Sequence, residues 1–164
     1  MQLADAILTE FVHEMAITRR LLERAPDAEF AWAPHPRSMT LGRLATHIAE
    51  IPGWVGRIVT LPGFDLGGEQ TPRTAPAAAE VLALFDAGVS LARQALTPLS
   101  DETLLGSWRL TKRGQLVLEL PRIGMVRMLL LNHLIHHRGQ LSVYLRLCNV
   151  PVPSIYGPSA DQPM

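Results

Sequence analysis

The sequence predicts an all-α fold: an antiparallel four-helix bundle with a small β-hairpin in the connection before the last helix. Three observations carry this expectation. Apolar residues recur at helical spacing in four long stretches, prolines punctuate the joins between them, and one short segment alternates apolar with polar residues instead. At 164 residues the chain can bury a real core, so residues 1–164 are expected to form a single domain.

The first helix is expected from about Leu3 to Arg24. Ala4, Ile7, Leu8, Phe11, Met15, Thr18 and Leu22 form one stripe, and Pro26 stops it. After the loop APHPRSM, Thr40 is a suitable N-cap for a second helix from Leu41 to about Thr60, kinked at Pro52 and closed by Pro62 and Gly63. A third helix fits residues 75 to 96, with Thr74 as cap, Pro76 in the first turn, and Val81, Leu82, Phe85, Val89 and Ala92 facing inward. Pro98 ends it. Residues 107–120, SWRLTKRGQLVLEL, alternate around Lys112-Arg113-Gly114 and read as the hairpin. The fourth helix runs from about Pro121 to Cys148, where Asn149 and Pro151 stop it. Facing helices of such a bundle can build a site between them.

Composition narrows the partners. With 15 basic and 15 acidic side chains, no global field attracts nucleic acid or an anionic membrane. Asp5 and Glu10 interrupt the start where a signal peptide needs a basic and then an apolar region, and no stretch approaches the roughly 20 apolar residues of a membrane span. A soluble, cytoplasmic protein is expected. The single cysteine, Cys148, can neither form an internal disulfide nor build a cysteine knuckle, so any metal site must use histidine and carboxylate.

Three of the six histidines lie in NHLIHHRGQL, residues 132–141. At about 100° per residue, His137 falls about 40° from His133, among Val126, Leu130, Leu141 and Tyr144, whereas His136 lands about 60° to the other side, at the stripe's edge. The same projection sets His47 among Leu44, Ile51 and Val55. Taken singly, a core-facing histidine reads as a satisfied core residue. Three converging imidazoles, two of them at i and i+4, have a common partner in one cation, and three protein ligands leave a fourth position open as in catalytic zinc.

Leu134, Ile135 and His136 separate the pair, so the zincin glutamate is missing and a peptidase of that kind is not expected. Glu50 either lines the site's edge or meets solvent, and Asn132 either orients a histidine or lies at the surface. His13 and His35 read as solvated. Arg127, Arg138, Ser142 and Arg146 share the outer sector of the last helix with Met128, Leu131 and Ile135. That partly apolar face is expected to be covered by the hairpin or by a second subunit, making a homodimer, unless Arg138 faces an anionic substrate.

The segments TLGRLATHIAE, NHLIHHRGQLSVYLR and VPVPSIYGPSAD together resemble the DinB family of small bacterial four-helix proteins. The resemblance spans nearly the whole chain. It implies a nickel or zinc ion held by His47, His133 and His137, and an activity as a metal-dependent transferase or isomerase using a low-molecular-weight thiol. On that reading the cation deprotonates the thiol, and Trp54 and Tyr144 hold a small electrophilic substrate nearby. Two alternatives stand beside it: a metal-dependent hydrolase, and a non-catalytic, stress-associated bundle that binds a metal or ligand.

Overall fold

The structure is a computed structural model and describes residues 2–67 and 72–163. It is mostly helical, with a small three-stranded sheet. Helix α1 spans Leu3–Leu22, α2 Leu41–Glu50, α3 Val55–Thr60, α4 Ala78–Leu96, α5 Asp101–Leu105, α6 Arg122–Met125 and α7 His133–Leu147. The strands are β1 Gly63–Asp65, β2 Ser107–Lys112 and β3 Gln115–Pro121. Helix α2 packs against α4 and α7, and α1 packs against the same two. Phe11, Leu44, Ile48, Phe85, Leu130, Leu134 and Leu141 are all fully buried in the core they share. No described helix is long and apolar enough to cross a membrane.

Thr40 caps α2 as expected, its hydroxyl accepting from the Arg43 amide at 3.2 Å. The bend at Pro52 takes the form of a 3-10 turn, Ile51–Trp54, between α2 and α3. Helix α4 seats on that turn through Gly88, where an added Cβ would lie 3.1 Å from the Gly53 backbone nitrogen.

Several expectations are corrected. The sheet is mixed rather than a lone hairpin, because β1 pairs parallel to β2 while β2 and β3 run antiparallel. A three-residue strand is too short to show a period, and its partner lies some forty-six residues away, Gly63 facing Arg109. The hairpin turn itself is as read: Arg113 and Gly114 both have positive φ, at 51° and 76°. Asp65 ties it to β1 by accepting from the Thr111 hydroxyl (2.7 Å) and the amides of Arg113 (3.0 Å) and Gly114 (2.8 Å).

Helix α4 begins at Ala78 rather than residue 75, and Thr74 does not cap it. The cap comes from across the fold, the Ala78 amide donating to the Asp27 carboxylate, while the Ala75 amide is held by the buried Thr46 hydroxyl at 2.9 Å. The short helix α5 was not expected, although Ser100 followed by Asp101 and Glu102 is a legible start signal, and Ser100 does cap it. The last helical stretch is not uniformly α-helical. Val126–Asn132 is π-helical, so residues there turn by less than 100° each.

On the outer face of the last helix, the arginines are met by α1 and the C-terminal tail rather than by the hairpin. Arg138, expected on that face, is 1 % exposed and sits 2.7 Å from the Glu14 carboxylate. It also donates to the Thr18 hydroxyl (3.2 Å) and to the Tyr156 hydroxyl (2.6 Å), which in turn donates to Glu14 at 2.8 Å. Arg127 pairs with Glu10 at 2.6 Å, and Arg146 pairs with Asp161 of the tail. An arginine facing an anionic substrate from this position is therefore excluded; its charge is already met.

Candidate metal centre

His47 projects from α2, while His133 opens α7 and His137 follows one turn later. Thr40 fixes where α2 starts, and the π-helical stretch ends at Asn132, so two independent boundaries set the facing of these side chains. The rings meet: His47 Nε2 lies 3.3 Å from His133 Nε2, which lies 2.8 Å from His137 Nε2. The three offer one ligand atom each within 4.8 Å of one another, an arrangement that can hold a metal ion. Nitrogens bound at ~2.0–2.1 Å stand about 3.3–3.4 Å apart in tetrahedral geometry and about 2.8–3.0 Å apart at right angles, and the two observed separations fall within these ranges.

The opposite ring nitrogens are oriented for the same purpose. His137 Nδ1 is 2.7 Å from the Gln140 side-chain oxygen, to which it donates, so Nε2 keeps its lone pair. His133 is held by a hydrogen bond to the Leu129 backbone, inside the π-helical stretch where the ladder is displaced from its α-helical register. His47 Nδ1 is buried without a hydrogen-bond partner, and the Glu50 carboxylate stands 3.7 Å from it, restrained by Arg43 at 3.2 Å. Glu50 thus lies behind His47, on the side away from the converging nitrogens, where a carboxylate orients a ligating imidazole.

Burial is the main cause holding all three histidines below the ordinary pKa, with repulsion from neighbouring positive groups adding to it: other histidines for His47 and His133, His136 and Arg43 for His137. His47 is lowered to about 4, by burial, then by His137 and His133, then by Arg43. The imidazoles are therefore neutral at neutral pH, the form in which histidine binds a metal. His136 is exposed and meets His137 edge-on at 4.8 Å between centroids without joining the cluster. Asn132, His13 and His35 are exposed. Cys148 is half-buried, and burial raises its thiol pKa.

Trp54 closes over the cluster, its ring 5.5 Å from His133 and 5.7 Å from His47. It also lines a cavity of about 340 Å³ that His133 borders, walled by Arg57, Ile58, Phe64, Leu66, Trp108, Leu110 and Leu129. Tyr144 is placed elsewhere: it meets Trp32 edge-on at 5.5 Å, donates to the Met39 carbonyl, and does not line this cavity. The wall residues from β1 and the position just after it, Phe64 and Leu66, are ones that sequence reasoning missed. They reach the site only through the β1–β2 pairing.

Comparison with known proteins agrees with this geometry. The DinB family model matches residues 1–163. An uncharacterized protein, YrdA of Bacillus subtilis (strain 168), is 29 % identical over 163 residues, covering 98 % of this chain and 92 % of that protein. A DinB-like protein from Bacillus cereus ATCC 10987 superposes with a TM-score of 0.74 at 23 % identity, covering 93 % of this chain and 97 % of that one. The DinB-like YjoA of Bacillus subtilis gives 0.68 at 17 % identity, covering 97 % and 99 %.

Proposed function

The chain belongs to the DinB family, and from that premise and the histidine geometry we propose that it is a metal-dependent transferase, or isomerase, using a low-molecular-weight thiol as co-substrate. One observation supports this above the rest: three neutral imidazoles converge beside a cavity, with no carboxylate in the cluster among the described residues. His47, His133 and His137 would hold nickel or zinc. When bound there, a divalent cation supplies Lewis acidity and lowers the pKa of a thiol that joins it. Neutral ligands leave its charge undiminished. Gln140 fixes the ring orientation of His137, Glu50 stands 3.7 Å from His47 Nδ1, Trp54 shields the cluster, and the apolar cavity wall keeps water from the reacting groups.

The hydrolase reading uses the same three ligands, with water in place of the thiol. A structural metal, one form of the non-catalytic reading, would draw support from a fourth protein ligand, and Glu50, the nearest carboxylate on α2, is turned behind His47 and held by Arg43; a bundle that only binds a ligand needs none. The thiol reading places the protein in the reducing cytoplasm. The homodimer, proposed from the partly apolar outer face of the last helix, is tested by sedimentation of the purified protein. The test of the transferase is consumption of bacillithiol, mycothiol or glutathione with model electrophiles, in metal-loaded and chelated protein. Loss of thiol only in the loaded protein is expected, and equal slow rates in both would sink the reading.

A further inference from the structure

The cavity beside the histidines has a chemistry of its own. Trp54, Phe64 and Trp108 supply aromatic surface, Ile58, Leu66, Leu110 and Leu129 supply aliphatic surface, and the polar groups are Arg57 and His133. At about 340 Å³ it lies at the low end of small-molecule sites, ~300–1,000 Å³, which suits one or two fused rings rather than a peptide or a sugar chain. Arg57 is solvent-exposed, and its guanidinium stands over the Phe64 ring at 4.7 Å. The Arg57 backbone carbonyl accepts from the Trp108 indole N–H at 3.3 Å, which ties the arginine's helix to the strand wall. Among the described residues no carboxylate pairs with the Arg57 side chain, a state it shares with Arg20, Arg93 and Arg122, but Arg57 alone of these lines the cavity. An arginine with no carboxylate partner among the described residues, set on aromatic surface at an apolar cavity, draws a flat molecule that brings its own negative charge.

We infer that this cavity binds a small aromatic anion, a ring bearing a carboxylate or sulfonate, with the ring among Trp54, Phe64 and Trp108 and the charge at Arg57. His133 borders both the cavity and the metal cluster, so a ligand seated there lies beside the reacting position. Its role as a substrate rests on the function proposed above; its binding does not.

The experiment is calorimetric titration of the chelated and the zinc-loaded protein with 2-naphthoate and with its neutral counterpart 2-naphthylmethanol. Tryptophan fluorescence is read alongside. We expect one molar equivalent of naphthoate to bind both forms and to perturb the emission of Trp54 and Trp108. Arg57→Gln should weaken naphthoate by about tenfold and leave naphthylmethanol unchanged. Leu66→Glu, at another exposed wall position, should weaken naphthoate by setting a like charge beside it. No saturable naphthoate binding by the wild-type protein would overturn the inference, as would equal affinity for the two compounds with no effect of Arg57→Gln. Naphthoate binding without any thiol consumption would leave this inference standing and remove the transferase. Thiol consumption without naphthoate binding would do the reverse.

Discussion

Nε2 of His133 lies 2.8 Å from Nε2 of His137, while each ring is held elsewhere, His137 through Nδ1 by Gln140 and His133 by the Leu129 backbone. With the ring protons on the outer nitrogens, two lone pairs point at each other across that gap. In a half-buried setting such a contact is unfavourable unless a positive charge lies between the nitrogens. His47 Nε2, 3.3 Å from His133, completes the same concavity.

Gln140 follows as a tuning residue. Gln140→Leu removes the acceptor that fixes the His137 tautomer, and it should weaken zinc by about 10- to 100-fold, as loss of such orienting partners does. Competition with a chromophoric chelator measures it. Wild-type affinity in the variant would show that His137 is oriented by packing alone.

His136 is the internal control. It is exposed and adjacent to the cluster, yet it contributes no ligand atom to it. His136→Ala should keep full metal stoichiometry, while His47→Ala and His133→Ala should lose it. A drop with His136→Ala in elemental analysis of untagged protein would redraw the site.

The buried Arg138–Glu14 pair predicts a stability effect away from the metal. Arg138→Ala leaves the Glu14 charge buried at the α1–α7 contact and should cost about 3–5 kcal/mol in urea unfolding. Tyr156→Phe, which removes one hydroxyl shared by both partners, should cost about 1 kcal/mol. A cost for Arg138→Ala below that of Tyr156→Phe would mean that the pair does not anchor the tail.

That arginine also shows where the sequence could and could not be read. The i, i+4 spacing put His133 and His137 on one side, and their convergence with His47 followed from helical periodicity alone. The projection sets the buried stripe about 50° around from His133, whereas Leu134, His137, Arg138, Leu141 and Leu145 are buried, so the centre lies about 100° around. Of the residues that orient the stripe, Val126 and Leu130 sit in the π-helical stretch and are out of phase with α7, and Tyr144 is only half-buried. No pattern within the last helix announces that Glu14 and Tyr156 will meet Arg138. Likewise β1 is three residues of long-range pairing, and the cavity wall that depends on it has no local signature.

Acid should destabilise the metal-free protein through the same histidines. Their folded-state pKa values are lowered, to about 4 for His47, against about 6.5 in the unfolded chain. Between those values the unfolded state binds more protons, so stability rises with pH there and falls as pH drops from about 6.5 towards 4. Melting of chelated protein across that window should show the decline, and a His47→Gln, His133→Gln, His137→Gln variant should show a shallower one. Parallel slopes would contradict the assignment.

The most direct measurement is a crystal structure of untagged protein, purified without added metal, with anomalous data at the nickel and zinc edges. The account predicts one anomalous peak ~2.0–2.2 Å from Nε2 of His47, His133 and His137, with at least one coordination position on the Trp54 side filled by something other than protein. No peak between the three rings, or a fourth protein ligand closing the sphere, would contradict it.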